Sequence, residues 1–132
     1  IKMKTIILAV LPLFLSTSVF ANNNQCKVND MNGSWVSYQG AVLGNPHTGV
    51  CKFTVANGLA QGTCDFSLGF KGPFTGEVVV SRDCSAKFSM DFSPAAAFVS
   101  DFEVQLHKDK QSFVGRWENN FGVIGVTNAV KR

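Results

Sequence analysis

The number and spacing of the four cysteines in this chain predict that they form disulfides. They are Cys26, Cys51, Cys64 and Cys84. An even number of cysteines in a short chain with an export signal indicates a disulfide framework. Metal binding needs CxxC or Cys/His spacing, which the sequence lacks, so we expect no metal site. Once the cysteines are paired, no thiol remains to act as a nucleophile.

The other candidates for catalysis are two histidines and a scattered set of acids. His47 lies in a loop-like sequence, Asn-Pro-His-Thr, and His107 ends a predicted strand, and both positions are typical of solvated side chains. No two acids stand out as a general acid and base couple, because most alternate outward along predicted strands. We therefore predict no catalytic residue, no cofactor and no enzyme activity.

The stretch CKFTVANGLAQGTC predicts a β-hairpin and, with it, the cysteine pairing. Asn57-Gly58 at its centre suits a type I′ turn, which needs positive φ at both central residues. A chain folded there places Cys51 opposite Cys64 on a rung without hydrogen bonds, where Cα atoms lie about 4.5 Å apart, within disulfide range. The second bridge is then Cys26–Cys84.

Apolar and polar residues alternate through most of the chain, with no helical periodicity, and this predicts an all-β domain. Short turns between alternating strands favour an antiparallel up-and-down meander that closes into a small barrel. A two-sheet β-sandwich is the alternative. We predict loops at 40–49, 69–73 and 94–97, and about eight strands at 34–39, 51–56, 59–68, 74–81, 87–93, 101–107, 112–118 and 121–130.

Aromatic residues dominate the face of these strands that we assign to the interior. An eight-strand barrel is just wide enough to be filled by side chains or to hold one small ligand. Since each aromatic side chain buries about 150–250 Å², we expect a filled interior rather than an open cavity. The inward aromatic residues are Phe53, Phe66, Phe74, Phe88, Phe92, Phe102, Phe113 and Trp117.

The first residues have the pattern of an export signal. Lys2 and Lys4 precede an apolar run that ends in Val-Phe-Ala at Ala21, and the run is too short to span a membrane. We predict a signal peptide over 1–21 with its true start at Met3, an N-terminal segment over 22–32, and a single β-barrel domain over 33–132. The protein is then exported, either periplasmic or extracellular.

The mature chain is close to neutral. Without Lys2 and Lys4, ten basic residues stand against nine acidic ones, a net charge near +1. Such a balance does not favour a nucleic-acid partner, and we predict no membrane span in the mature chain.

Gly33-Ser34-Trp35 opens the first predicted strand. A Gly-x-Trp at this place in a secreted eight-strand meander resembles the calycins, which include lipocalins, avidins and small bacterial metalloprotease inhibitors. The resemblance implies that Trp35 plugs the closed end of the barrel, with Arg116 of Gly-Arg-Trp as its companion. The inhibitors also carry a disulfide across an early hairpin, as Cys51 and Cys64 would.

These observations leave three kinds of function, which we rank. The first is an exported protein-binding or protease-inhibitor-like module that acts on another exported protein through its loops and N-terminal segment. The second is a carrier of a small apolar ligand in the barrel interior. The third is an enzyme. An open cavity of roughly a few hundred Å³ would reverse the first two. The residues expected to touch a protein partner are Asn24, Gln25, Asn45 and His47.

Overall fold

Eight antiparallel strands follow one another around a closed barrel in the computed structural model, which describes residues 25–132. Each strand pairs with the next, and β8 pairs with β1. The predicted meander and its closure into a barrel are therefore confirmed, and the alternative β-sandwich is not found. The predicted signal peptide and Asn24 lie outside the described residues. A 3-10 helix, Val28–Met31, precedes β1 (Gly33–Leu43), β2 (His47–Ala56), β3 (Leu59–Phe66), β4 (Lys71–Val80), β5 (Ser85–Asp91), β6 (Val99–Leu106), β7 (Ser112–Asn119) and β8 (Ile124–Lys131).

The β2–β3 hairpin has the predicted turn and register. Asn57 and Gly58 have φ values of 51° and 77°, as a type I′ turn requires. Cys51 pairs with Cys64 across the ladder, and the two form a buried disulfide. The remaining cysteines form the second predicted bridge, Cys26–Cys84. Two disulfides are compatible with an exported protein.

The first strand is longer than predicted, and the prediction of a loop over 40–49 is wrong. β1 continues to Leu43, β2 begins at His47, and the connection is only 44–46. Gly40 pairs with Thr48 on one side and with Val126 on the other. Because the backbone of Gly40 is held in two ladders, a glycine there does not end the strand.

Two other predicted boundaries also change. The break expected at 69–73 ends earlier, since β4 begins at Lys71 and the Pro73 position pairs with Thr63. The N-terminal segment predicted over 22–32, for which no regular element was expected, contains the helix Val28–Met31. No helix within 25–132 has the length and apolar character needed to cross a membrane.

One half of the barrel interior is filled with side chains, as expected. The rings of Phe88 and Phe102 stack with centroids 4.6 Å apart, and Phe113 packs against Phe88 and Trp35. Met31 of the short helix, which is fully buried, covers this end. We call it the closed end. All eight aromatic residues assigned to the interior are buried.

Candidate functional site

Alternate connections of the barrel gather at the end opposite the short helix. Because an up-and-down chain reverses at every strand, the connections 44–46, 67–70, 92–98 and 120–123 all lie at this one end. The tight turn at 57–58 and the connections 81–84 and 107–111 lie at the closed end. We call the end with the connections 44–46, 67–70, 92–98 and 120–123 the open end.

A cavity of about 350 Å³ enters the barrel at the open end, and its walls are mainly aromatic. The ring of Phe66 lies in its wall, 6.2 Å from the rings of both Phe70 and Phe98 (centroid to centroid). His47 contacts Phe66 edge-on at 5.6 Å and lies 6.1 Å from Trp117. The expected filled interior is therefore wrong at this end, because Phe70 and Phe98 stand in connections and form a wall above the packed layers.

Glycines at two positions allow the aromatic rings of the cavity wall to pack directly against the backbone. A Cβ on Gly49 would lie 2.5 Å from Cδ1 of Phe66, and a Cβ on Gly125 would overlap the ring of Trp117. Contacts this short do not occur between real side chains, so both positions must lack one. The Trp117 indole donates to the carbonyl of Val126 at 3.3 Å, so its N–H is used within the wall.

Two buried polar side chains, Gln39 and Ser100, line the cavity among these rings. Gln39 lies on β1 and donates through Nε2 to Sγ of Cys51 at 3.1 Å and to Sδ of Met90 at 3.6 Å. Ser100 lies on β6 and pairs with Met90 on β5. We call Gln39 and Ser100 the polar floor of the cavity.

His47 presents a defined edge to the cavity. Its Nδ1 lies 2.6 Å from the backbone carbonyl of Asn45, which can only accept, so Nδ1 carries the proton. In the neutral ring Nε2 is then an acceptor. Among the described residues no protein donor bonds to Nε2, so it is available to a ligand.

The connections around the mouth are braced by asparagine side chains. Asn119 accepts from the backbone N–H groups of Phe121 and Val123, both at 3.0 Å. Asn120 accepts from the N–H of Val99 at 2.9 Å and donates to the carbonyl of Ala97 at 3.2 Å. The Asn119 bonds brace the connection 120–123 itself, and the Asn120 bonds tie it to 92–98 and to the start of β6. Such bracing before a ligand arrives lowers the entropy lost on binding.

The charge of the cavity follows from its lining. None of the side chains that line it is Lys, Arg, Asp or Glu, and His47 is its one titratable group. Residues 25–132 contain no group of three or more His, Cys, Asp or Glu that could hold a metal ion. The site therefore suits a neutral molecule, because an ion buried here would lack a counter-charge.

The residues predicted to touch a protein partner do not form one surface. Asn45 and His47 lie at the open end, and both line the cavity. Gln25 lies at the closed end, where its carbonyl accepts from Nζ of Lys110 at 3.4 Å. Asn24 is outside the described residues.

Of the two residues expected at the plug, one is found there. Trp35 is fully buried at the closed end, and its indole N–H donates to the carbonyl of Met31 at 2.8 Å. Arg116 lies instead on the outer wall, with 74% of its side chain exposed, and bonds to Glu103 at 2.8 Å. That hydrogen bond and the charge of Arg116 lower the pKa of Glu103. The correction follows from strand parity, since Arg116 is next to inward Trp117 and must point outward.

Sequence reasoning missed several cavity residues, and Gln39, Ser100, Phe70 and Phe98 among them show two reasons. Gln39 lies two residues after inward-facing Ser37, and Ser100 lies two residues before inward-facing Phe102. Because side chains alternate between the two faces of a strand, this spacing could have predicted that both point inward. Phe70 and Phe98 lie in connections, where no periodicity gives the direction of a side chain.

Comparison with known proteins shows the fold and not the family. No protein-family model and no curated protein matches the sequence. A redesigned β-barrel, mFAP1, bound to DFHBI, matches with a TM-score of 0.63 at 12% identity over 80% of this chain and 98% of that one. A de novo designed fluorescence-activating β-barrel matches with a TM-score of 0.60 at 14% identity, over 80% of this chain and 96% of its own.

A further redesigned β-barrel has a TM-score of 0.64 at 12% identity, over 81% and 96% of the two chains. At such identities the likeness supports a small eight-strand barrel and does not single out the calycins.

Proposed function

We propose that this protein binds a small, neutral, largely apolar ligand in the cavity at its open end. The observation that carries the proposal is the cavity itself, about 350 Å³ in volume and walled by aromatic rings. Ligand sites in proteins are typically concave, mostly apolar and furnished with a few polar groups, as this cavity is. A cavity of this size reverses our ranking, and the carrier replaces the protein-binding module as the preferred function.

The volume limits the size of the ligand. Ligand pockets span roughly 300–1,000 Å³, so this one is near the small end. At about 30 Å³ for each water molecule, it has the volume of roughly a dozen waters. The ligand is therefore a compact compound of about one to three rings rather than a long lipid chain.

The structural neighbours add support of a general kind. The neighbour mFAP1 was solved with DFHBI bound, so a barrel of this architecture can hold a small molecule. The protein-binding alternative has less support, because Gln25 and His47 lie at opposite ends of the barrel. We propose that the ligand is bound and released unchanged, since the cavity offers no acid and base couple.

The proposal is tested with N-phenyl-1-naphthylamine, a neutral apolar dye that fluoresces when it leaves water. We expect saturable fluorescence enhancement with one dye per chain. The Val123→Trp variant places a large side chain in the cavity lining and should reduce dye affinity at least tenfold. Val114→Trp is the matched control, since Val114 lies 61% exposed on the outer wall, and it should bind as the unmodified protein does.

Thermal unfolding of both variants checks that they are folded. Absence of dye binding by the unmodified protein, or equal affinities in the two tryptophan variants, would contradict the proposal. Native mass spectrometry of protein purified from its own source provides a second test, with an added mass of one small molecule expected on the chain.

A further inference from the structure

The polar floor of the cavity carries hydrogen-bonding capacity that the protein leaves unused. Gln39 and Ser100 are each only 6% exposed. Among the described residues the fully buried side-chain oxygen without a partner is Ser37 Oγ, so the free oxygens of Gln39 and Ser100 keep some accessible surface. Among residues 25–132, Gln39 bonds through Nε2 alone, to two sulfur atoms, and the Ser100 hydroxyl bonds to no protein group. One amide oxygen and one hydroxyl therefore face the largely apolar cavity, whose other polar lining residues are Asn45, His47 and Asn119.

These two groups lie at the same depth in the barrel. β1 and β5 are separated by three strands on either side, so Gln39 reaches across the interior when its Nε2 approaches Sδ of Met90. Ser100 is the direct ladder partner of Met90 on β6. Both polar side chains therefore meet the bottom of the cavity around one methionine, beneath the rings of Phe66 and Trp117.

The orientation of the Gln39 amide is set by its contacts. Nε2 points towards the sulfurs of Cys51 and Met90, which accept weakly and cannot donate. The other end of the amide, Oε1, is then an acceptor for a donor that comes from the cavity. The Ser100 hydroxyl can donate as well as accept, so the pair matches a group that does both.

We infer that the ligand is a neutral aromatic alcohol, of which a phenol is the simplest kind, bound with its hydroxyl at the polar floor. The hydroxyl donates to Oε1 of Gln39 and accepts from the hydroxyl of Ser100. The ring portion lies among the wall aromatics above, where edge and face contacts favour a flat molecule. An anionic ligand is disfavoured, because Oε1 would oppose its charge and no cation lines the cavity.

This inference rests on the proposed function and predicts a preference between two compounds of nearly equal shape. The compounds are 2-naphthol and 2-methylnaphthalene, which differ by a hydroxyl in place of a methyl group. An apolar ligand would leave both floor groups buried without partners, which costs enough to lower affinity about tenfold or more. We therefore expect 2-naphthol to bind at least tenfold more tightly.

The test is an NMR titration of the ¹⁵N-labelled full chain with each compound at neutral pH. The side-chain amide signals of Gln39 should shift with 2-naphthol, and the dissociation constants should differ as stated. In the double variant Gln39→Met, Ser100→Ala the preference should fall to about one. Ser100→Ala alone removes a single oxygen and should reduce the preference several-fold, which keeps the test decisive if the double variant does not fold.

Gln61→Met, on the outer wall of β3, is the control and should keep the full preference. Equal affinities of the unmodified protein for the two compounds would overturn the inference and leave the proposed function standing. A preference that survives in the folded floor variants would also overturn it. Failure of both compounds and of N-phenyl-1-naphthylamine to bind would overturn the proposed function itself.

Discussion

The ammonium group of Lys131 lies 5.1 Å from the ring centroid of Trp35 at the closed end of the barrel. The same Nζ donates a 2.8 Å hydrogen bond to the carbonyl of Asp30 in the short helix. Trp35 in turn donates to Met31 of that helix. Lys131 at the end of β8 thus contacts both Trp35, the predicted plug residue, and the short helix that covers it. The calycin resemblance assigned this position beside Trp35 to Arg116.

This arrangement predicts different outcomes for two cation removals. Lys131→Met should lower the free energy of unfolding by about 1–2 kcal/mol, because it removes a cation–π contact and a hydrogen bond. Arg116→Met, on the exposed outer wall, should leave the environment of Trp35 unchanged. Urea unfolding and tryptophan emission, recorded in a Trp117→Phe background, measure both effects. A shift of the Trp35 emission by Arg116→Met and not by Lys131→Met would contradict the assignment.

Asp30 should make stability depend on pH in the acid range. Burial raises the pKa of its carboxyl, but the hydrogen bond from the backbone of Lys27 and the pairing with Lys110 outweigh this and hold it below 3.8. A lowered folded-state pKa stabilises the protein above the unfolded value, and this contribution is lost as the pH falls through the folded pKa. Asp30→Asn should therefore cost about 1 kcal/mol near pH 7, and the difference should close below pH 3.8.

Denaturant unfolding at pH 7 and at pH 2.5 checks this prediction. Lys110→Met removes the other side of the 3.2 Å ion pair and should show the same pH dependence in part, because the Lys27 hydrogen bond to Asp30 remains. The double variant should then cost little more than Asp30→Asn alone, because both changes remove the same ion pair. A destabilisation by Asp30→Asn that is equal at the two pH values would show that the charge is not the cause.

The two disulfides should contribute unequally to stability. Cys26–Cys84 closes a separation of 58 residues and Cys51–Cys64 one of 13. By chain entropy the first is worth about 4 kcal/mol and the second about 3. Replacing each pair by alanine, with thermal unfolding as the readout, should rank them in that order. The Cys26–Cys84 variant should still bind the naphthylamine dye, since its bridge lies at the closed end, and loss of dye binding in the folded variant would contradict this placement.

A buried hydroxyl in the packed half offers a prediction of opposite sign. Ser37 is fully buried, and its Oγ has no hydrogen-bond partner in the described part of the chain. Ser37→Ala should therefore raise the free energy of unfolding by about 1 kcal/mol. Thr127→Val is the matched comparison, since the Thr127 hydroxyl donates to the carbonyl of Tyr38 at 3.1 Å, and it should lower stability by a similar amount. Chemical denaturation measures the free energy of unfolding of both variants. Destabilisation by Ser37→Ala would show that the Ser37 hydroxyl has a hydrogen-bond partner.

The hairpin and the barrel could be predicted because several local rules agree on them. Asn57-Gly58 sets the turn, the turn sets the register, and the register places Cys51 beside Cys64. A one-residue slip would have moved every apolar side chain to the outer face, so one such hairpin constrains its neighbours as well. The same alternation correctly predicted Phe102 opposite Trp117 in the β6–β7 pair.

The cavity could not be predicted, because it depends on where strands end and how connections fold. Glycine and proline near 40–49 indicated a long loop, whereas two neighbouring strands keep that backbone in the sheet up to Leu43. Gln39 was expected to end the first strand, and the extension of β1 to Leu43 places it inside the sheet instead. The Phe70 and Phe98 rings then close over one side, 5.3 Å apart, and nothing in their sequence neighbourhood fixes that contact.

The final prediction compares two glycines on neighbouring strands near the mouth. A methyl group on Gly49 would lie 2.5 Å and 2.7 Å from two ring carbons of Phe66, so the ring must move away from the wall. Since Phe66 lines the cavity, Gly49→Ala should lower the affinity for N-phenyl-1-naphthylamine several-fold. It should also lower the free energy of unfolding by about 1–3 kcal/mol through overpacking.

Gly40→Ala is the matched change, because a methyl group there meets no atom within 4 Å. It should leave dye affinity unchanged and stability the same or slightly higher, since alanine restricts the unfolded chain. Dye titration and urea unfolding of both variants separate the two positions. If both variants bind the dye equally, the ring of Phe66 is not part of the binding wall. If Gly49→Ala alone loses affinity, the position of that ring controls the space available to the ligand.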